Sequence, residues 1–399
     1  MERWKKNLYL MWVMQVLTQA GFSFGIPFIS YFIQEIGITE PNKIKLFTAL
    51  LSAAPAVTMA IMAPIWGILS DRFGKKKMLV RAALAGVILV GLMGFASDVS
   101  QLFILRILQG VFTGSSTAAL IFIASNTPDK DLPGALGVLT SAIFIGTTIG
   151  PALGGISAES FGYRTSFFIG AGILAVTFFM TIFLIKEDPV SETRGKRMKP
   201  ITGINLKSLL NYSLVMLLLI LFFSYMARTV FGPYISLFVQ QIRGKLEGSS
   251  AVTGLINAFA ALMVAFSGLL TGKLMRRFKK YRLLLLLLLM AVIVSAVLFM
   301  SKGIAMFAIM YGMLAFSLGS IEPLVMSITS QTVEPDKRGS LIGIETAVSS
   351  LGWCLAPIIA GIVSIEFSIH SVQLLIIAFV ICAIVLTVIA ERHEKKLNA

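Results

Sequence analysis

Four ionisable side chains interrupt long apolar runs of this chain: Arg106, Arg228, Glu322 and Glu345. A charge is costly inside a bilayer core, so each is a functional residue by default and a candidate for proton coupling. Glu322 lies deepest of the acids. Desolvation disfavours the charged form of a carboxyl, so a carboxyl whose exposure alternates can load a proton on one side and release it on the other. That is the chemistry expected of Glu322. The competing reading is a structural ion pair with Arg228. A rise of about 1.5 Å per residue puts Arg228 nearer the outer face, and a direct pair stays open. Glu345 falls in the first turns of its run, where the helix dipole ordinarily stabilises an acid. It reads first as structural and second as a further proton site. Asp98, Glu35 and Glu159 fall at outer run ends and read as solvated.

Polar and aromatic side chains gather near these charges. Arg106 heads a stripe with Gln109, Thr113 and Thr117, at steps of 3, 4 and 4 along one helical face. Gln15, Gln19, Phe22 and Ile26 share a face of the first run, and Arg228 sits among Tyr225, Phe231 and Tyr234. With 19 methionines, this composition suits a greasy, adaptable cavity for amphipathic small molecules. Taken singly, each such residue also fits packing or lipid-facing surface. The first half offers glutamines and an arginine but no acid there, so a neutral, zwitterionic or anionic cargo is as well suited as a cationic one. His370 and His393 lie at or beyond run ends, and Cys354 and Cys382 stand in no metal-ligand or redox spacing. With no paired carboxylates in the runs, an enzyme is not expected. Nothing resembles a P-loop, so neither ATP drive nor a cofactor or metal is expected.

The elements that must position these residues follow from composition. The chain has 399 residues, 57% hydrophobic and 13% charged, with mean hydropathy +0.88. Soluble domains carry roughly 25% charged residues. Spanning a hydrocarbon core takes roughly 20 apolar residues of helix. Runs of that kind lie near 8–32, 47–69, 78–97, 101–123, 135–158 and 164–185, then near 209–239, 251–275, 283–300, 304–328, 341–363 and 370–390. The expected fold is an all-α membrane protein of twelve transmembrane helices in two six-helix halves, 1–187 and 208–399, joined by a polar cytoplasmic linker at 188–207. The first run is too long for a cleavable signal peptide. With the N-terminus inside, 26 Lys and Arg fall in inner segments, among them five at 70–81, and 6 in outer loops. The positive-inside rule then puts both termini in the cytoplasm. The +15 net charge reports topology and contact with anionic lipid, not nucleic acid.

The halves repeat. GILSDRFGKKKML at 67–79 aligns with GKLMRRFKKYRLL at 272–284, and GTTIGPALGGI at 146–156 with GWCLAPIIAGI at 352–362. The offsets are 205 and 206 residues. Parallel repeats of this kind are a transporter design, with substrate bound near the midplane. The segments at 67–79 and 146–156, with LRILQGVFTG at 105–114, resemble signatures of the major facilitator superfamily, and the whole pattern is most similar to its bacterial twelve-helix drug:proton antiporters. The resemblance implies that runs 1, 4, 7 and 10 line a central cavity. It implies that Asp71 and Arg72, between Gly67 and Gly74, latch the halves at the eleventh helix. It also implies that Gly146, Gly150, Pro151, Gly154 and Gly155 bend the fifth helix and seal the interface between the halves. In the second half, Arg276 and Lys279 replace the acid and the second glycine, so the duplicate latch is degraded. The function implied is proton-coupled export of amphipathic molecules by alternating access from a bacterial cytoplasmic membrane, by a monomer. The alternative is a lipid or glycolipid flippase or metabolite exporter of the same superfamily.

Overall fold

The computed structural model describes residues 3–128, 131–185, 212–332 and 338–397. The expected linker lies outside them. Every regular element among the described residues is a helix. Among the same residues, eleven stretches are long and apolar enough to cross a membrane, and Val99–Phe112 is a shorter apolar helix. Together they account for the twelve expected spans. Large apolar side chains such as Leu269, Phe183 and Phe95 are at least 70% exposed. In water such a surface would drive association; a bilayer solvates it.

The spans divide into two kinds. Spans 2, 3, 5 and 6 are unbroken helices at Pro41–Phe73, Lys75–Phe95, Leu132–Phe161 and Tyr163–Leu184. Spans 8, 9, 11 and 12 are likewise unbroken, at Ser249–Arg277, Lys280–Phe299, Arg338–Glu366 and Ile369–Leu397. Spans 1, 4, 7 and 10 are broken. Span 1 runs Arg3–Ser23, then a 3-10 turn Ile26–Phe28, then Ile29–Glu35. Span 7 runs Tyr212–Thr229, a 3-10 turn Gly232–Tyr234, then Ile235–Arg243. Span 4 breaks between Val99–Phe112 and Ser115–Asn126, and span 10 between Ile304–Gly319 and Ile321–Thr332. The breaks are chemical. Pro27 and Pro233 lack the N–H that would continue a helix. Gly114 sits at φ +96°, where a side chain would be strained.

The breaks keep one register. Ser23 and Thr229 end the first helices, the 3-10 turns start at Ile26 and Gly232, and the second helices of spans 4 and 10 start at Ser115 and Ile321. Each pair stands 206 residues apart, the offset of the repeated glycine motif. FGIPFISYFIQEI at 24–36 and VFGPYISLFVQQI at 230–242 share it too.

Contacts sort the chain into two units: 1–197 with 239–258, and 198–238 with 259–399. In the first, span 1 packs on span 5, span 3 on span 6 and span 2 on the first helix of span 4. Its core includes Met11, Met14, Phe122 and Leu139. In the second, span 7 packs on spans 11 and 12, and span 9 on span 12.

Spans 2 and 4 approach closely at Gly110, where a Cβ would come 2.7 Å from Pro55 Cα and collide with Thr58. Overpacking of this kind costs about 1–3 kcal/mol. Gly268 faces open space. Gly110→Ala is therefore expected to lower the melting temperature of the detergent-solubilised protein, and Gly268→Ala to leave it unchanged or raise it.

Candidate functional site

The break in span 10 decides where Glu322 goes. Glu322 is the second residue of the helix Ile321–Thr332, so it sits at a helix N-terminus within the span, where the dipole favours an anion. Arg228 lies in the last turn of Tyr212–Thr229, where a cation is favoured. The two are brought together: Arg228 Nη1 lies 3.4 Å from Glu322 Oε2. Depth estimated from unbroken helices left this pair open; the breaks in both spans close the gap. At 3.4 Å the pair is looser than a tight charge-assisted hydrogen bond of about 2.7–2.9 Å. The guanidinium also stacks on Tyr225, 4.4 Å from the ring centroid.

A cavity of about 470 Å³, its open mouth included, borders Glu322 and is lined by Tyr225, Glu322, Met326, Glu345, Ser349 and Trp353, among others. It holds two carboxylates of different character. The Glu322 side chain is 37% exposed, whereas Glu345 is 3% exposed and accepts a short hydrogen bond of 2.5 Å from Thr329. Ser349 and Trp353 follow Glu345 at steps of four along span 11, and no signal in the sequence singled them out.

In the first unit the polar stripe is satisfied internally. Pro55 has no N–H, so the carbonyl of Leu51 loses its donor four residues on. Arg106 Nε donates to that carbonyl at 2.8 Å, and Nη1 donates to Gln109 Oε1 at 2.6 Å. The Thr113 hydroxyl donates to the Gln109 carbonyl. Arg106 is 4% exposed, and no carboxylate is among these partners. Gln15 and Gln19 both donate to Ser116 Oγ, at 3.0 and 2.6 Å. Phe22 lays its ring over Gly86 of span 3. Tyr234, expected in the cavity, is fully buried: the 3-10 turn directs it into the core, where Ser364 Oγ donates to its hydroxyl at 3.2 Å.

The glycines of span 5 make a groove for span 1. A Cβ at Gly146 would meet the Val16 carbonyl at 2.5 Å, one at Gly150 the Ala20 carbonyl at 2.7 Å, and one at Gly154 the Phe24 backbone. Gly155 faces the start of span 8, with the Ser250 carbonyl 2.6 Å from its missing Cβ. Gly254 in turn sits against the Pro151 carbonyl. Near this contact Tyr31 meets Thr253 at 3.1 Å and Tyr163 meets Ser250 at 2.9 Å. Gln34 and Gln240, equivalent positions of the repeat, exchange two hydrogen bonds of 2.9 Å each. The shared 206-residue offset was the signal that could have found them. Gly74 joins spans 2 and 3 at φ +93°. The side chains of Asp71, Arg72 and Thr117, and the surroundings of Gly67, lie outside what the structure describes.

A helical membrane fold with a loose ion pair and a second acid beside one cavity is an arrangement suited to a transporter. The profile of the Major Facilitator Superfamily matches residues 11–321 and 217–399, and the chain belongs to that superfamily. Multidrug resistance protein MdtG of Proteus mirabilis is 31% identical over 381 residues, covering 92% of each chain. The multi-drug resistance efflux pump PmrA homolog of Lactococcus lactis is 30% identical over 384 residues, covering 95% of this chain and 94% of its own. Among solved structures, a bacterial homolog of the human lysosomal transporter Spinster, inward-facing and occupied, superposes with TM-score 0.81 at 14% identity over 98% of both chains. The nucleoside transporter NupG gives 0.78 at 12% over 97% of this chain and 98% of its own. At such identities these two report the fold.

The arginines differ in what they hold. Arg106→Met strands the Leu51 carbonyl, and a buried group left unsatisfied costs about 1–3 kcal/mol. It is expected to lower the melting temperature and the monodisperse yield, whereas Glu322→Gln, half in the cavity, leaves both near wild type.

Proposed function

We propose that this transporter exports amphipathic small molecules in exchange for protons, by alternating access. The observation that carries this reading is the loose Arg228–Glu322 pair on a cavity that also holds Glu345. With Glu322 ionised, its charge holds Arg228 and the two broken helices together. A proton arriving from outside neutralises Glu322, and the Coulombic hold on Arg228 is lost. Arg228 and Tyr225 are then free to move as cargo leaves, and the proton departs when Glu322 faces the cytoplasm and recovers its partner. Glu345, held by Thr329, is the second proton site in this scheme. The apolar and aromatic walls provided by Tyr225, Met326 and Trp353 suit an amphiphile, with Gln15, Gln19, Gln109 and Thr113 the polar positions proposed for the first half. Export of drugs is supported by the names of the two relatives.

In the same reading the protein is a monomer in a bacterial cytoplasmic membrane, with both termini in the cytoplasm. Its halves, 1–187 and 208–399, move about the linker 188–207. Asp71 and Arg72 latch one state, and Pro151 with Gly150 and Gly154 lets span 5 bend in the other. Arg106 serves as a strut in place of a proton carrier, since its donors go to a carbonyl and an amide.

Efflux of ethidium from energised vesicles tests the reading. Wild type is expected to move the dye against its gradient, and a protonophore to stop it. Glu322→Gln is expected to lose uphill efflux by at least about tenfold, the effect of roughly 1.4 kcal/mol, while keeping downhill exchange of the same dye. Uphill efflux that survives in Glu322→Gln removes it as the carrier; failure of wild type to move dye under any proton gradient removes drug export.

A further inference from the structure

Arg81 counts in the sequence as one of five inner basic residues. In the structure it is the seventh residue of the helix Lys75–Phe95, inside the span. Its Nη2 donates to the Thr113 carbonyl at 3.0 Å, and its guanidinium carbon lies 3.4 Å from the centroid of the Trp66 ring. Trp66 Nε1 in turn donates to the Val111 carbonyl at 2.6 Å. Both carbonyls belong to the cut end of span 4, where the last carbonyls of Val99–Phe112 have no intrahelical donor. Two side chains from spans 2 and 3 therefore cap the break and fix the plane of the guanidinium.

That leaves two further nitrogens of the guanidinium. Nε and Nη1 of Arg81 are buried and have no hydrogen-bond partner among the described residues. Arg81 borders a cavity of about 450 Å³, its open mouth included, whose lining also includes Met59, Trp66, Ser70, Met78 and Thr113. Among the described residues none that lines it is acidic. A buried cation without a counter-ion is strongly unfavourable. A guanidinium with unpaired N–H groups suits an oxyanion, and the Met and Ala walls fit an acyl chain.

We propose that this cavity is a binding site for an oxyanion carried on an amphiphile, the phosphate of an anionic phospholipid, with Arg81 as its anchor. A phosphate oxygen accepts from an unpaired N–H of the Arg81 guanidinium, and the acyl chain follows the apolar wall out to the bilayer. This occupancy is independent of the proton-coupled cycle proposed above.

Native mass spectrometry of the full-length protein tests it, with phosphatidylglycerol or phosphatidylcholine added at equal concentration. Wild type is expected to retain phosphatidylglycerol in preference to phosphatidylcholine. Arg81→Gln is expected to retain it about tenfold less, since hydrogen bonds to charged groups contribute about 1.5–3 kcal/mol. Lys77→Gln, which removes an exposed charge four residues away, is expected to behave as wild type. Should Arg81→Gln fail to fold, Arg81→Lys keeps the charge without the planar guanidinium and is expected to show the same loss in smaller measure. Displacement of the lipid by inorganic phosphate in wild type alone keeps the oxyanion site but assigns it to a free anion. Equal retention in wild type and the Arg81 variants, or equal loss in Arg81→Gln and Lys77→Gln, overturns the site.

Discussion

Each backbone carbonyl or amide that a helix break exposes in the bilayer must find a partner within the protein, because lipid offers none. Much of this structure follows from that demand. Spans 1, 4, 7 and 10 are all broken, and in span 4 side chains of neighbouring spans close the break. Pro55 frees the Leu51 carbonyl and Arg106 takes it; the break at Gly114 frees the Val111 and Thr113 carbonyls, and Trp66 and Arg81 take them. In span 10 the Ser327 carbonyl, near the end of its helix, is taken by Lys280 at 3.0 Å. Long cationic side chains are suited to this work, since their stems lie along apolar surface while the head donates. Charge inside a span is therefore of two sorts in this protein, and residue type alone does not separate them.

The separation lies in the partner. Arg106 donates to neutral oxygens, and moving a proton elsewhere would leave those bonds unchanged. Arg228 faces a carboxylate at 3.4 Å, and the strength of that contact depends directly on whether the carboxyl carries a proton. The loose distance matters for the same reason: a tight bidentate pair would be harder to open within a cycle. Glu345 contrasts with Glu322 in having a hydroxyl as its partner, and a hydroxyl can rotate from donor to acceptor as the carboxyl gains a proton.

The spans, the all-α fold and the duplication were legible in the sequence because each rests on composition over some 20 residues or on a repeated motif. Glu322, Glu345 and Arg228 were legible as charges out of place. What was not legible is what breaks in the helices control. Uniform helical rise put Arg228 away from Glu322, yet each sits beside an interruption that shifts the register. Tyr234 read as a cavity aromatic because it stands near Tyr225 and Arg228 in a span rich in Phe and Tyr; it is the last residue of the 3-10 turn Gly232–Tyr234 and is fully buried. Arg81 was hidden by a tally of basic residues near a loop, which does not distinguish a solvated lysine from an arginine seven residues into a helix. The span 5 glycines were legible as a groove, but their spacing did not say which helix fills it, and span 1 does.

The duplication also explains how one frame holds two chemistries. A shift of 206 residues towards the N-terminus carries Glu322 to Ser116, Tyr225 to Gln19 and Arg228 to Phe22. In the first unit Gln19 donates to Ser116 at 2.6 Å; in the second Arg228 meets Glu322, with Tyr225 stacked on the guanidinium. Both contacts join the residues just past a break in span 4 or 10 to the last turns before a break in span 1 or 7. The first unit fills that place with an amide and a hydroxyl, and the second with a guanidinium and a carboxyl. A duplicated helix break thus provides the same small-scale geometry twice, with different chemistry set on each copy.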